Sequence, residues 1–357
     1  MAFQTKLLEW YEQHHRQLPF RESCDPYKIW ISEIMLQQTQ METVLPYYKR
    51  FMATFPTVFD LAQASEHEVM NLWQGLGYYA RARNLMKCAK VLAADYNGEF
   101  PKDYKAALKL PGIGPYTAGA VLSIAFNQRI PAVDGNVMRV LSRLFNMQAD
   151  ISVPKNKRFF LKKAGETMTE NAGDFNQALM ELGALVCLPK NPKCGSCPLM
   201  ENCIACERSL QSRLPVKKKK IKNKKLHVAV GIVRNGNTIL MTQTTDNLLK
   251  GLWGFPIAEG ETPMKAKENL WLSLKDKIKL EKKTLKEIGK DSHVFTHKTW
   301  KMTLYEVVVH DKRRVKCLQE EINGYPKPEE ETIWIEPDAM NRYPIATAFK
   351  KLLIQLK

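Results

Sequence analysis

The sequence predicts a multidomain chain: an all-α domain ending in a turn-rich cysteine loop, then a smaller α/β domain. Three observations carry this. Apolar residues recur at three- and four-residue spacing as far as Val186. Four cysteines then crowd into Cys187–Cys203 among Pro189, Pro192, Gly195 and Pro198. Beyond the lysine block Lys217–Lys225 the pattern shortens to strand-like runs. These changes of texture set the bounds at residues 1–210, a linker at 211–226, and 227–357.

In chain order, helices are predicted over Tyr27–Gln40, Ser65–Trp73, Ala80–Ala94, Tyr104–Leu110, Pro115–Phe126, Val137–Phe145, Lys157–Met168 and Phe175–Val186, with Pro and Gly punctuating them. After the linker, Leu226–Arg234 and Thr238–Thr242 flank Asn235-Gly236-Asn237, a hairpin turn. Val294–Val309 and Thr332–Ile335 read as further strands, and Met264–Lys277 and Ala346–Leu356 as helices.

Net charge is +17 over 357 residues, which favours a polyanionic partner without specifying a fold. Part of it sits in Lys217–Lys225, whose seven lysines lack apolar periodicity and suit a solvated linker. The rest of the chain remains basic without them. No apolar run reaches the ~18 residues a membrane span needs, and Met1-Ala-Phe-Gln-Thr-Lys6 does not open a signal segment. A membrane role is not expected.

Cys187, Cys194, Cys197 and Cys203 lie in a stretch too broken for a helix and too short for a core, so it needs a staple. A reducing compartment disfavours disulfides. One C-x2-C between wider gaps suits four thiolates on zinc or on an iron-sulfur cluster, and spacing leaves both open. Cys206 competes with Cys203 as fourth ligand. Cys24, Cys88 and Cys317 are isolated and read as small hydrophobes.

Leu110-Pro-Gly-Ile-Gly-Pro-Tyr116-Thr-Ala118 lies between two predicted helices. Gly112 and Gly114 are expected to take φ > 0 and bring backbone N–H groups to a phosphate, with the dipole of the helix opening near Pro115 behind them. The string has the form of a DNA-binding helix-hairpin-helix. Glu33, on an apolar helix with Trp30, Ile34 and Leu36, should have a raised pKa and serve as a general acid. Asp134, in Val133-Asp134-Gly-Asn136, should be held ionised by N–H groups at a helix start, a position that also suits an ordinary N-cap. Two such carboxylates suffice to cleave an N-glycosidic bond through an oxocarbenium-like transition state.

Residues 20–205 resemble the helix-hairpin-helix DNA glycosylases that carry an iron-sulfur cluster. Ile31-Ser-Glu33-Ile-Met-Leu-Gln-Gln38-Thr, Gln74-Gly-Leu-Gly-Tyr78-Tyr-Ala-Arg81-Ala-Arg83 and Val133-Asp134-Gly-Asn136-Val are similar to the adenine DNA glycosylase family. So are Gly251-Leu-Trp253-Gly-Phe-Pro256 and Phe295-Thr296-His297, in the second domain. The resemblance implies a [4Fe-4S] cluster on Cys187, Cys194, Cys197 and Cys203. It implies support of Asp134 and the attacking water by Tyr116 and Asn136, and roles in extruding the base for Gln38 and Tyr78, with Leu76 near the partner base. Arg21 and Arg81 are candidate contacts to the base or phosphates.

Endonuclease III-like relatives place a Schiff-base lysine after the hairpin, where this chain has Tyr116, so the resemblance implies hydrolysis without strand cleavage. The C-terminal domain resembles a Nudix module, yet Gly260-Glu-Thr-Pro-Met-Lys-Ala-Lys-Glu-Asn lacks the glutamate-rich box of a pyrophosphatase. It is therefore expected to recognise rather than hydrolyse, reading 8-oxoguanine opposite adenine through Phe295, Thr296 and His297, with Thr where the family has Ser. The expected partner is double-stranded DNA with adenine opposite 8-oxoguanine or guanine, bound by a monomer. The expected location is the bacterial cytoplasm at the nucleoid, or the nucleus of a eukaryote. The rivals are a bifunctional glycosylase and lyase, a pyrophosphatase fused to a DNA-binding domain, and a non-enzymatic iron-sulfur DNA-binding regulator.

Overall fold

The structure, a computed structural model, describes residues 2–218, 224–244, 249–278, 285–295, 298–309, 321–322, 325–326 and 332–355. It divides into two compact units: Met1–Ala64 with Ala80–Lys219, and Ser65–Tyr79 with Lys220–Lys357. The second unit thus takes in a short segment that the sequence places among the helices.

The first unit is helical. Pro26–Leu36 packs on Pro115–Phe126, which packs on Ala172–Leu185, and that helix also meets Phe3–His14 and Gly135–Leu144. Pro115–Phe126 is buried without a break from Thr117 to Ser123, as a central helix apolar on all sides must be. Gly119 sets its depth, because a Cβ there would stand 2.5 Å from Pro131 O. Val137, Val140, Leu141, Phe160, Phe175 and Leu179 form the adjoining core, against which Cys187, Cys197 and Cys203 pack.

Most predicted helices are present with ends shifted by a few residues. The largest shift is at Tyr27–Gln40, which stops at Leu36 because Gln38 turns to φ +59°. Phe3–His14, Met41–Thr54 and Val58–Gln63 are helices that the sequence reading left out.

In the second unit the strands are β1 (Lys224–Asn235), β2 (Thr238–Gln243), β3 (Trp253–Gly254), β4 (Ile257–Gly260), β5 (Lys286–Val294), β6 (Lys298–Val308), β7 (Glu321–Ile322), β8 (Tyr325–Pro326) and β9 (Thr332–Ile335). The main sheet runs β3-β2-β1-β6-β5, with β4 also on β1 and β9 on β2, while β7 and β8 pair apart. β1 and β6 are parallel. Val228–Val233 of β1 is buried throughout, since the Pro263–Ile278 helix covers one face with Leu270 and Leu274. The β1–β2 hairpin forms as expected: Asn235 pairs with Thr238, and Gly236 takes φ +57°. The single strand expected over Val294–Val309 is instead the end of β5 and all of β6.

Gly119→Ala should lower the first unit's stability by about 1–3 kcal/mol, the usual cost of overpacking. The check is a thermal melt. An unchanged midpoint would mean that the Pro131 segment moves aside freely.

Candidate functional site

One cavity of about 460 Å³ in the helical unit collects Glu33, Tyr116, Asp134, Asn136, Arg21 and Glu181 among its lining. Glu33 reaches it from the Pro26–Leu36 helix, which Asp25 caps through Tyr27 N–H and Pro26 starts. The side chain is buried, and the Tyr116 hydroxyl donates to its Oε2 at 2.5 Å. Burial pushes the Glu33 carboxyl up to about 7; the Tyr116 bond and Arg21 pull against it, while Asp134 adds to it. Glu33 can therefore hold a proton near neutrality and release it.

Asp134 is the N-cap of the Gly135–Leu144 helix. Its Oδ1 accepts from Val137 N–H at 2.7 Å and its Oδ2 from Asn136 Nδ2 at 3.0 Å. The cap bonds pull its pKa down as anticipated, yet burial outweighs them, and the carboxyl lies above the ordinary aspartate value. This corrects the expectation drawn from the helix start alone: an N-cap favours the anion, but only by as much as desolvation leaves.

Glu181 is a third buried carboxylate, which the sequence reading missed. Burial acts to raise its pKa, but Arg16 and Arg21 win and take it to about 2. Arg16 is bidentate, with Nε to Oε1 at 2.8 Å and Nη2 to Oε2 at 3.0 Å, and Arg21 Nη2 reaches Oε2 at 2.7 Å. Arg21 is thus engaged inside the protein, at the edge of the same cavity. A lone glutamate inside Phe175–Val186, a run otherwise rich in Ala and Leu, was the available signal.

Of the hairpin glycines, Gly112 takes φ +76°, where a Cβ would also stand 2.7 Å from Asn84 Cβ. Gly114 does not take positive φ: as N-cap of Pro115–Phe126 it is extended at φ −98°, with open space where a Cβ would lie. Its bare backbone, not a left-handed turn, is what it offers a phosphate.

Gln38 is exposed and left-handed. Arg81 caps the turn beside it, Nη1 donating to Ile34 O, Met35 O and Gln37 O and Nη2 to Thr39 Oγ1. That engagement gives Arg81 a structural task at this turn. In the second unit, Tyr78 is exposed while Leu76 is buried, so Leu76 must move before it can touch a base. Phe295 lies where β5 gives way to β6, its N–H donating to Lys298 O at 2.8 Å and its ring edge-on to His293 and Trp300. Thr296 and His297 lie outside the described residues.

Cys187, Cys194, Cys197, Cys203 and Cys206 line one small cavity. Arg143 beside it is buried; Nη1 donates to Cys187 Sγ at 3.3 Å, and its other bonds go to Leu188 O, Pro189 O and Leu214 O. Among the described residues no carboxylate pairs with this guanidinium. Thiolates on a bound anionic cluster would supply the missing countercharge. Nor do three His, Cys, Asp or Glu among the described residues converge as on a single ion. Cluster ligands each take a different iron and need not converge. The donor set fits an iron-sulfur cluster.

Family models match in three places: the helix-hairpin-helix superfamily of base excision DNA repair proteins at residues 31–165, the iron-sulfur binding domain of endonuclease III at 187–203, and the NUDIX domain at 228–355. The second match spans the four predicted ligands and stops short of Cys206. An adenine DNA glycosylase of Buchnera aphidicola (Schizaphis graminum) is 39% identical over 84% of this chain and 85% of its own. That of Arabidopsis thaliana is 38% identical over 82% of this chain and 54% of its own. Among solved structures, a thermostable thymine-DNA glycosylase is 31% identical with TM-score 0.53, covering 58% of this chain and 95% of its own. An endonuclease III trapped covalently on DNA is 27% identical with TM-score 0.50 at the same coverages. The [4Fe-4S] cluster is the chain's cofactor, and no described helix is long and apolar enough to cross a membrane.

Two outcomes are expected. Glu33 binds more protons folded than unfolded between its unfolded value and about 7, so it lowers stability as pH rises through that window. Glu33→Gln should therefore be more stable than wild type at pH ~8, by on the order of 3 kcal/mol, and the difference should shrink toward pH ~4; denaturant titrations at both pH values decide. Cys197→Ala should lose iron and folded protein together, because the loop depends on its staple. An iron-free, folded and zinc-loaded wild type would reverse the assignment.

Proposed function

Because the chain belongs to the adenine DNA glycosylase family, we propose that it excises adenine paired with 8-oxoguanine, and with guanine, by monofunctional hydrolysis in base excision repair. The observation that carries this is the convergence of buried Glu33, its Tyr116 partner and N-cap Asp134 on one cavity.

In this mechanism residues 1–210 do the chemistry and hold the cluster, whose part is to staple the Cys187–Cys203 loop. Glu33, protonated near neutrality, gives its proton to the departing adenine, and the C1′–N9 bond breaks with its electrons going to the base. The Asp134 carboxylate faces the oxocarbenium-like sugar, fixed by Val137 N–H and Asn136. Water then adds at C1′, its proton passing to the Glu33 carboxylate left by the first step, and an abasic site remains. Tyr116 keeps the Glu33 carboxyl from rising further and holds its orientation. Gly112 and Gly114 present backbone to a phosphate, and Gln38, Tyr78 and Leu76 fill or flank the space left by the extruded base. Arg21 acts through Glu181, and Arg81 through the Gln38 turn, rather than by touching DNA.

Residues 227–357, joined through the linker 211–226, read the opposing base with Phe295, Thr296 and His297. The protein acts as a monomer where the DNA is, at the nucleoid of a bacterium or in the nucleus of a eukaryote.

A single-turnover assay on duplexes that differ only in the base opposite adenine tests this. Adenine release is expected opposite 8-oxoguanine and guanine, with strand breaks only after alkali and little borohydride trapping. Glu33→Gln and Asp134→Asn should each slow release by about 10²–10⁴ with duplex binding retained. Full-length His297→Ala should lose preference for 8-oxoguanine. Efficient trapping by the wild type would favour a lyase, with Lys157, an ammonium shifted down by burial and opposed by Asp134, the amine to test first.

A further inference from the structure

Gly251-Leu-Trp253-Gly-Phe-Pro256 takes no part in the chemistry above, yet Trp253 organises a strap in the second unit. Trp253 N–H donates to Pro344 O at 2.9 Å, and Trp253 O accepts from Ala346 N–H at 3.0 Å. The Trp253 and Tyr343 rings meet edge to face at 5.6 Å. From the far side of the strap Tyr343 meets the His67 ring at 6.2 Å, also edge to face. Arg342 O accepts from His67 Nε2 at 3.0 Å and Asn71 Nδ2 at 3.4 Å, and Ile345 O accepts from Gln74 Nε2 at 3.1 Å.

These bonds hold the Glu66–Trp73 helix and the first residue of the loop after it. That loop is costly to form. Gly75 (φ +108°), Gly77 (φ +71°) and Tyr78 (φ +51°) are all left-handed, and Tyr78, with its side chain 44% exposed, is a residue type that seldom adopts such a φ. Within the loop Trp73 Nε1 donates to Gly77 O at 3.1 Å, the Gly75 N–H to the Tyr79 hydroxyl at 3.4 Å and the Leu76 N–H to Trp73 O at 3.0 Å. Strain of this kind persists where the surroundings over-determine it. Here the surroundings include the strap.

We infer that Tyr343–Ile345 are positioning residues for Tyr78: the strap, pinned by Trp253, fixes the loop in the form that stacks an aromatic ring in the opened duplex. The inference rests on the reading of Tyr78 as an extrusion residue. It gives the C-terminal unit a second task, support of base extrusion whatever base stands opposite. Disturbing the strap should therefore slow both mispairs alike, whereas disturbing His297 changes their ratio.

The test uses full-length protein and duplexes with 2-aminopurine at the target position, whose fluorescence rises when it leaves the stack, read by stopped flow before excision. Tyr78→Ala and Tyr343→Ala should each lower the extrusion equilibrium by about tenfold, the scale of one lost base–aromatic stack. The double variant should be no worse than either, because both remove one interaction. Tyr343→Phe, which keeps both ring contacts, should restore extrusion. Iron content and thermal midpoint report folding; if Tyr343→Ala does not fold, Gln74→Ala, which removes one strap-to-loop bond, takes its place with a smaller loss in the same direction. Full additivity of the Tyr78 and Tyr343 effects, or wild-type extrusion by folded Tyr343→Ala and Gln74→Ala, would overturn the inference while the functional reading stands. A wild type that neither extrudes the base nor releases adenine would overturn both.

Discussion

The hydrogen bond from Tyr116 to Glu33 is the interaction on which the helical unit is organised. It joins the Pro26–Leu36 helix to the hairpin helix Pro115–Phe126 at a point where a carboxyl group has been taken out of water. Two buried glutamates in the lining of this cavity are driven in opposite directions. Glu33, with one phenol as its direct partner, rises to about 7. Glu181, with two guanidiniums, falls to about 2. Burial raises both, so the choice of partner decides which is an acid and which a permanent anion. The permanent anion fixes Arg21, and Arg21 in turn moderates Glu33. Gly119 lets the Pro131–Ala132 segment, which leads to Asp134, lie close against the hairpin helix.

At the cysteine loop the group taken out of water is a cation. Arg143 is a buried cation whose hydrogen-bond partners among the described residues are three carbonyls and one sulfur. Carbonyl dipoles solvate a guanidinium but do not neutralise it. An anionic cluster held by four thiolates would. The loop and the helix Gly135–Leu144, which carries Asp134 at one end and Arg143 near the other, therefore depend on each other, and loss of the cluster should reach the active site through that helix.

Much of this was legible in the sequence. Helix periodicity, the Gly236 turn and the cysteine spacing are local signals, each readable from a few neighbouring residues, and the family resemblance singles out Glu33 and Asp134. What escaped depends on distant parts of the chain. Met41–Thr54 carries Pro46 in its interior, which breaks the helical template although the helix continues through it. β5 is mostly polar, and only its pairing with β6 makes it a strand. The direction of the Asp134 shift depends on burial by helices far along the chain, and the roles of Glu181 and Arg81 depend on partners 160 and more than 40 residues away.

Gln38 and Tyr78, the two side chains proposed to enter the opened duplex, share a backbone device. Each is a non-glycine residue at positive φ, shortly after a helix ends. Each turn is restrained from outside by polar contacts to backbone or to the helix before it: Arg81 takes the carbonyls around Gln38, and the strap's carbonyls take His67, Asn71 and Gln74 ahead of Tyr78. A flexible wedge would have to be ordered at the moment of binding and would lose that entropy from the energy available to open the duplex. A wedge strained in advance has already met that cost in folding, where the large cores of the two units can absorb a few kcal/mol. The division of the chain follows from this. Ser65–Tyr79 is encoded within the helical domain but belongs by its contacts to the C-terminal unit, so one of the two proposed wedges is held by the unit that carries neither Glu33 nor Asp134.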